Sequence, residues 1–161
     1  EKSKLISIDL EDYYLSGDRY EIDLKNWLVD ELYLKEKDFR TIIKNHNWKQ
    51  YENAFVAIHC SSKAIIPPWA FMLISSELTQ YANKAVIGNL DYLEQKIFED
   101  EIEKIDLQPF NNKSIVIKGC SNSKVPTSIY YMFSAKLMPI AKSIMYGEAC
   151  SSVPVFKKKS S

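Results

Sequence analysis

Short apolar stretches alternate with amphipathic ones along most of the chain. Leu5 to Leu10 alternates apolar and polar side chains, the period of a half-buried strand. A turn at Ser16-Gly17-Asp18 follows, and Tyr20, Ile22 and Leu24 alternate again, which predicts a second strand paired with the first. Trp27, Leu28 and Leu32 fit a helical turn. From Lys35 to His46, Phe39, Ile42, Ile43 and His46 recur at helical spacing, predicting a helix laid on the sheet, with His46 a packed or edge histidine. Phe55 to Ile58 is continuously apolar, as in a strand covered on both faces. Pro67-Pro68 opens a helix to about Tyr81, because proline suits a first helical turn, and Ala85-Val86-Ile87 is a strand closed by Gly88. Asp91 to Ile105 reads as a charged amphipathic helix. Ile115 to Ile117 reads as a strand, Pro126 opens a helix through Leu137, and Ser143 to Tyr146 reads as the last strand. Pro139 ends or kinks the helix before it.

This order predicts an α/β fold, a mainly parallel or mixed sheet flanked by helices, containing two repeated strand–helix–strand units. With an offset of 60, Val56, Cys60, Ser61, Phe71 and Met72 meet Val116, Cys120, Ser121, Tyr131 and Met132. Past one or two deletions, Gly88 meets Gly147. We read one domain over 1–161: N-terminal strands and helix at 1–50, repeats at 51–90 and 110–151, a connecting helix at 91–109 and a tail at 152–161.

Each of the three cysteines, Cys60, Cys120 and Cys150, is followed by serine. In parallel sheets ligands bind beyond the carboxyl ends of the strands. If both repeats share one sheet, the three thiols converge at one edge. Thiolates select zinc or iron–sulfur centres, and tetrahedral zinc asks for a fourth ligand. Asp91, Glu148 and His59 are the candidates, zinc being preferred to a cluster. The competing reading makes the cysteines small buried hydrophobes, with Cys-Ser a tight turn. A thiol-dependent enzyme or sulfur carrier is the third. His59 adjoins Cys60, but neighbours on a strand face opposite ways, which makes a poor dyad. Glu11 and Asp12 are read chiefly as a strand end, and as ligands or bases only if they reach the cysteine edge.

Twenty-one basic residues balance twenty-one acidic ones, so no global field attracts nucleic acid. No apolar run approaches the roughly 20 residues that span a bilayer. No cationic leader precedes an apolar core, and three cysteines are too few for a secreted disulfide framework, so the expected compartment is cytoplasmic. Four glycines leave no phosphate-cradling loop, and no GxSxG elbow exists. Aromatic helices carrying Trp69, Phe71, Tyr130 and Tyr131 suit a homodimer face.

Leu10 to Tyr14, Leu34 to Arg40, Lys118 to Asn122 and Ala141 to Ser151 resemble the DUF2480 family of uncharacterised bacterial proteins over nearly the whole chain. The resemblance brings no activity. It implies a link to iron–sulfur assembly proteins.

Overall fold

The computed structural model describes residues 4–119, 124–148 and 151–160. Among them, seven strands and four α-helices form an α/β fold. In chain order they are β1 (Leu5–Asp9), β2 (Arg19–Asp23), α1 (Glu36–Asn45), β3 (Phe55–His59), α2 (Pro68–Leu78), β4 (Lys84–Ile87), α3 (Leu90–Glu103), β5 (Ser114–Lys118), α4 (Thr127–Leu137), β6 (Ser143–Glu148) and β7 (Ser151–Lys157). No described helix is long and apolar enough to cross a membrane.

The strands make two sheets, where one was expected. One is mixed, in the order β1-β5-β6-β7, and the other is all parallel, in the order β2-β3-β4. β1 therefore pairs with β5, and β2 with β3, instead of with each other. Closeness in sequence does not oblige two strands to pair, and a 3-10 turn at Leu10–Tyr13 already intervenes between these two. Here each finds a more apolar central strand, β3 or β5, whose residues Phe55–Ile58 and Ile115–Ile117 are buried. The chain likewise divides into two compact units, Ser16–Lys96 and Glu1–Leu15 with Ile97–Ser161, the division falling within α3. The expected last strand, β6, is followed by another, β7, which returns antiparallel to it.

The two units are built alike, and their correspondence is constant. Phe55 pairs with Lys84 as Ser114 pairs with Ser143, both partners lying 59 residues further on. The same step carries α2 onto α4, with buried Ala70, Ile74 and Leu78 matching Ile129, Phe133 and Leu137. It carries α1 residues Phe39 and Ile43 onto Phe98 and Ile102 of α3, so the repeat starts well before Tyr51. It even matches two left-handed residues, Asn53 (φ 61°) and Asn112 (φ 56°), which donate to Tyr81 O and Ile140 O at 3.0 and 2.7 Å. Asparagine tolerates this conformation better than most residues. The N-terminal strands match at a step of 14, since Leu5 pairs with Ser114 as Arg19 pairs with Phe55.

Each unit has one apolar cluster beneath its helices. In Ser16–Lys96 the even-numbered positions of β2 and β3 (Ile22, Val56, Ile58) meet Phe39 and Ile43 of α1 and Ala70, Ile74 and Leu78 of α2. Trp27, His46, Trp48 and Tyr51 pack around one another, and the Tyr51 hydroxyl lies 2.7 Å from His46 Nε2. Burial holds the His46 pKa below its usual value. On the opposite sheet face, Arg19 lies over the Phe55 ring and reaches Glu94 of α3, Nε to Oε1 2.6 Å and Nη2 to Oε2 3.3 Å.

Candidate functional site

The cysteine-bearing edge lies at the carboxyl ends of β2, β3 and β4. β2 and β3 are in register, so Asp23 stands beside His59 and Glu21 beside Ala57. Side chains alternate along a strand, which places Glu21, Asp23 and His59 on one face. His59 Nε2 is paired with a Glu21 carboxylate oxygen. Cys60, the next residue, packs against the apolar cluster that includes Val56 and Ile58. Its thiol is free and half-buried, with Sγ 3.2 Å from the Ser62 hydroxyl. Ser62 Oγ also accepts the Ala64 N–H at 3.2 Å, closing the turn that leads into α2.

Asp23 organises the exit from both strands. Its Oδ1 accepts the N–H groups of Lys25 and Ser61, each at 3.0 Å, and its Oδ2 accepts the Ser61 hydroxyl at 2.6 Å. Burial alone would raise its pKa. The Ser61 hydroxyl, the Lys25 and Ser61 N–H groups and the His59 charge outweigh that and lower it from 3.8 to about 2. A carboxylate with a depressed folded pKa stabilises the fold above its unfolded pKa and loses that contribution as pH falls through the folded value. Between pH 3.8 and about 2 the wild type should therefore lose stability that Asp23→Asn, already lacking the charge, does not lose. Urea midpoints of the two proteins across this window measure the difference.

The counterpart edge in the other unit starts from Asp9, whose Oδ1 accepts the Glu11 N–H at 3.0 Å. Glu11 Oε1 accepts the Lys124 N–H at 3.3 Å, and Asp12 is exposed. Gly119 follows β5 there. A Cβ on it would fall 2.0 Å from Tyr146 Cζ, so the Tyr146 ring lies where a side chain would be.

The step of 59 corrects the expected pairing of the cysteines. Cys60 corresponds to Gly119, and Ser61 holds the place that Cys120 holds in the chain. Laying Cys-Ser on Cys-Ser matches letters but slips the strands by one residue, and such a slip exchanges the two faces of a sheet. Phe71 and Met72 likewise match Tyr130 and Tyr131, one residue earlier than the sequence alignment gave. Cys120 and Cys150 lie outside the described residues. Asp91 is exposed in the first turn of α3, where its charge suits the helix dipole. Glu148 is exposed at the end of β6. Among the described residues no three His, Cys, Asp or Glu side chains are grouped to hold a metal ion.

Sequence reasoning missed Glu21, Asp23 and Ser62, and read Ser61 only as part of a Cys-Ser turn. A signal was present: Ile-Asp-Leu occurs three times, and at Ile8-Asp9-Leu10 and Ile22-Asp23-Leu24 the aspartate caps the turn after a strand, while Asp106 of Ile105-Asp106-Leu107 caps the turn after α3. Chemically the edge offers a half-exposed imidazole–carboxylate pair and a separate thiol directed away from it, with no base beside the nucleophile among the described residues.

The family model "Protein of unknown function (DUF2480)" matches residues 1–158. Searches of the curated proteins and of the solved structures return no match.

Proposed function

The chain belongs to the DUF2480 family of proteins of unknown function, and from that premise we propose that it is a non-catalytic binding module whose Cys60 turn is structural. The divergence of His59 and Cys60 carries this reading. The histidine is engaged by Glu21 on one face, and the thiol packs against the apolar cluster on the other. A nucleophilic cysteine needs a base within hydrogen-bond reach. Exposed apolar side chains, among them Ile65 (91%), Tyr131 (80%) and Met72 (68%), support a role in association.

Thiol labelling tests the reading. In a Cys120→Ser/Cys150→Ser variant Cys60 reports alone, and its modification should be slow in buffer and accelerated many-fold by denaturant. Modification faster than that of a free cysteine in solution would overturn the reading in favour of a thiol-dependent enzyme or sulfur carrier.

A second reading places zinc, with an iron–sulfur cluster behind it, on Cys60, Cys120 and Cys150, completed by Asp91, Glu148 or His59. It is favoured by the free thiol of Cys60 at the carboxyl edge of a parallel sheet. A role in metal or sulfur handling follows only from this reading. Stoichiometric metal in protein purified without chelator, lost on Cys60→Ser, would support it. Metal-free protein would reject it.

A further inference from the structure

β4 ends its sheet, and β6, its counterpart, does not, because β7 pairs with it from Ser143 to Glu148. An apolar groove runs beside each. In one unit Ile58, Phe71, Met72, Ser75, Ala85 and Ile87 line about 480 Å³. In the other, the residues 59 further on, Ile117, Tyr130, Tyr131, Ser134, Ile144 and Tyr146, line about 330 Å³, and Val155 of β7 joins them. The duplication thus shows what covers such an edge: an antiparallel strand that contributes an apolar side chain to the groove. Beside β4 no described residue does this. Ala85 is exposed and Ile87 is 51% exposed.

β4 also has little of what keeps edge strands apart, namely proline, bulges and charge. The β7 edge carries Pro154 and Lys157, and the β2 edge carries Arg19, Glu21 and Asp23. β4 has Lys84 alone, at its first position.

We propose that β4 pairs antiparallel with β4 of a second copy of this chain, joining two three-stranded sheets into one. The backbone sets the register. Gly88 directs its N–H at Ile58 O of β3, at 2.8 Å. By alternation the N–H and C=O groups of Ala85 and Ile87 point to the open edge. A twofold axis normal to the sheet beside Val86 then sets Ala85 opposite Ile87 of the second copy, twice over, giving four hydrogen bonds. Ala85 and Ile87 align with Val56 and Ile58, so both lie on the α2 face. Each large isoleucine meets a small alanine, and the two grooves merge between two α2 helices that bear exposed Met72. Lys84 falls opposite Gly88, holding the two lysines about 13 Å apart along the strands, beyond the Debye length of roughly 8 Å at physiological salt. A lone foreign strand would satisfy the hydrogen bonds but would bring no helix to close the groove.

The proposal deepens the binding-module reading by naming its partner, and the two fail separately. A fast-reacting Cys60 would remove that reading and leave the dimer standing; a monomer would do the reverse. Sedimentation of the full chain at tens of micromolar should show a dimer. Ile87→Asp, at a half-exposed position, should keep the wild-type circular dichroism and raise the dimer Kd by about 100-fold or more, since each substitution counts twice. Val86→Cys gives an independent readout. The facing non-hydrogen-bonded pair has its Cα atoms about 4.5 Å apart, within disulfide reach, so mild oxidation should trap a covalent dimer that the wild type does not form. A monomeric wild type with no Val86→Cys cross-link overturns the proposal. So does a dimer indifferent to Ile87→Asp, or a monomer that instead takes up a peptide with the β7 sequence.

Discussion

Phe98→Ala is expected to cost about 3–5 kcal/mol of folding stability. Phe98 is 1% exposed on α3, and its ring centroid lies 6.1 Å from that of Tyr14. It shares its cluster with Ile102, Ile115 and Phe133. Truncation removes the transfer free energy of the ring and leaves a cavity that close-packed neighbours fill only in part. Against a total of roughly 5–15 kcal/mol, that is a large share. The urea midpoint should fall while the m-value holds, because the surface exposed on unfolding barely changes. Phe39, its counterpart 59 residues earlier, is fully buried and meets the rings of Trp27 and Trp69 at 5.9 and 6.1 Å. Phe39→Ala should therefore cost a comparable amount. A change within about 0.5 kcal/mol for either, the level of a surface substitution, would contradict the equivalence of the two clusters.

That equivalence was only partly legible in the sequence. Local signals placed the elements well: alternation at Leu5–Leu10, the apolar run at Phe55–Ile58, and the prolines before α2 and α4. These depend on the period of each segment and need no knowledge of its partners. Strand pairing does need such knowledge. β1 and β2 are close in sequence, with only residues 10–18 between them, yet each joins a strand far along the chain, because β3 and β5 offer a buried apolar partner in parallel register. The repeat was found but slipped by one residue, since the identical Cys-Ser pairs outweighed weaker matches such as Asn53 with Asn112 and Phe39 with Phe98. Those carry the physical register, as a left-handed asparagine and a buried ring each have little freedom to move. The polar edge escaped for a related reason. Asp23 acts on Ser61, 38 residues away, and no local pattern joins them, although the repeated Ile-Asp-Leu marked the position.

Gly147→Ala is the second change with a large expected cost, about 2–3 kcal/mol for an L-residue forced into unfavourable backbone space. Gly147 has φ 117°, and a Cβ built there would sit 2.9 Å from the Ser151 carbonyl oxygen. That oxygen belongs to the backbone of β7 and cannot rotate aside without disturbing the ladder in which Gly147 faces Ser152. At Gly119 the obstructing atoms are the end of the Tyr146 ring, which can swing outward, so Gly119→Ala should cost less despite the closer approach. The strain falls where Gly147 of β6 pairs with Ser152 of β7, so hydrogen exchange at the β7 amides should accelerate before that of β5. A uniform loss of protection across the β1-β5-β6-β7 sheet would mean that the hairpin does not open by itself. Release of β7 would give β6 the open edge that β4 already has, and a loosened Gly147→Ala protein should therefore gain a route to self-association through β6.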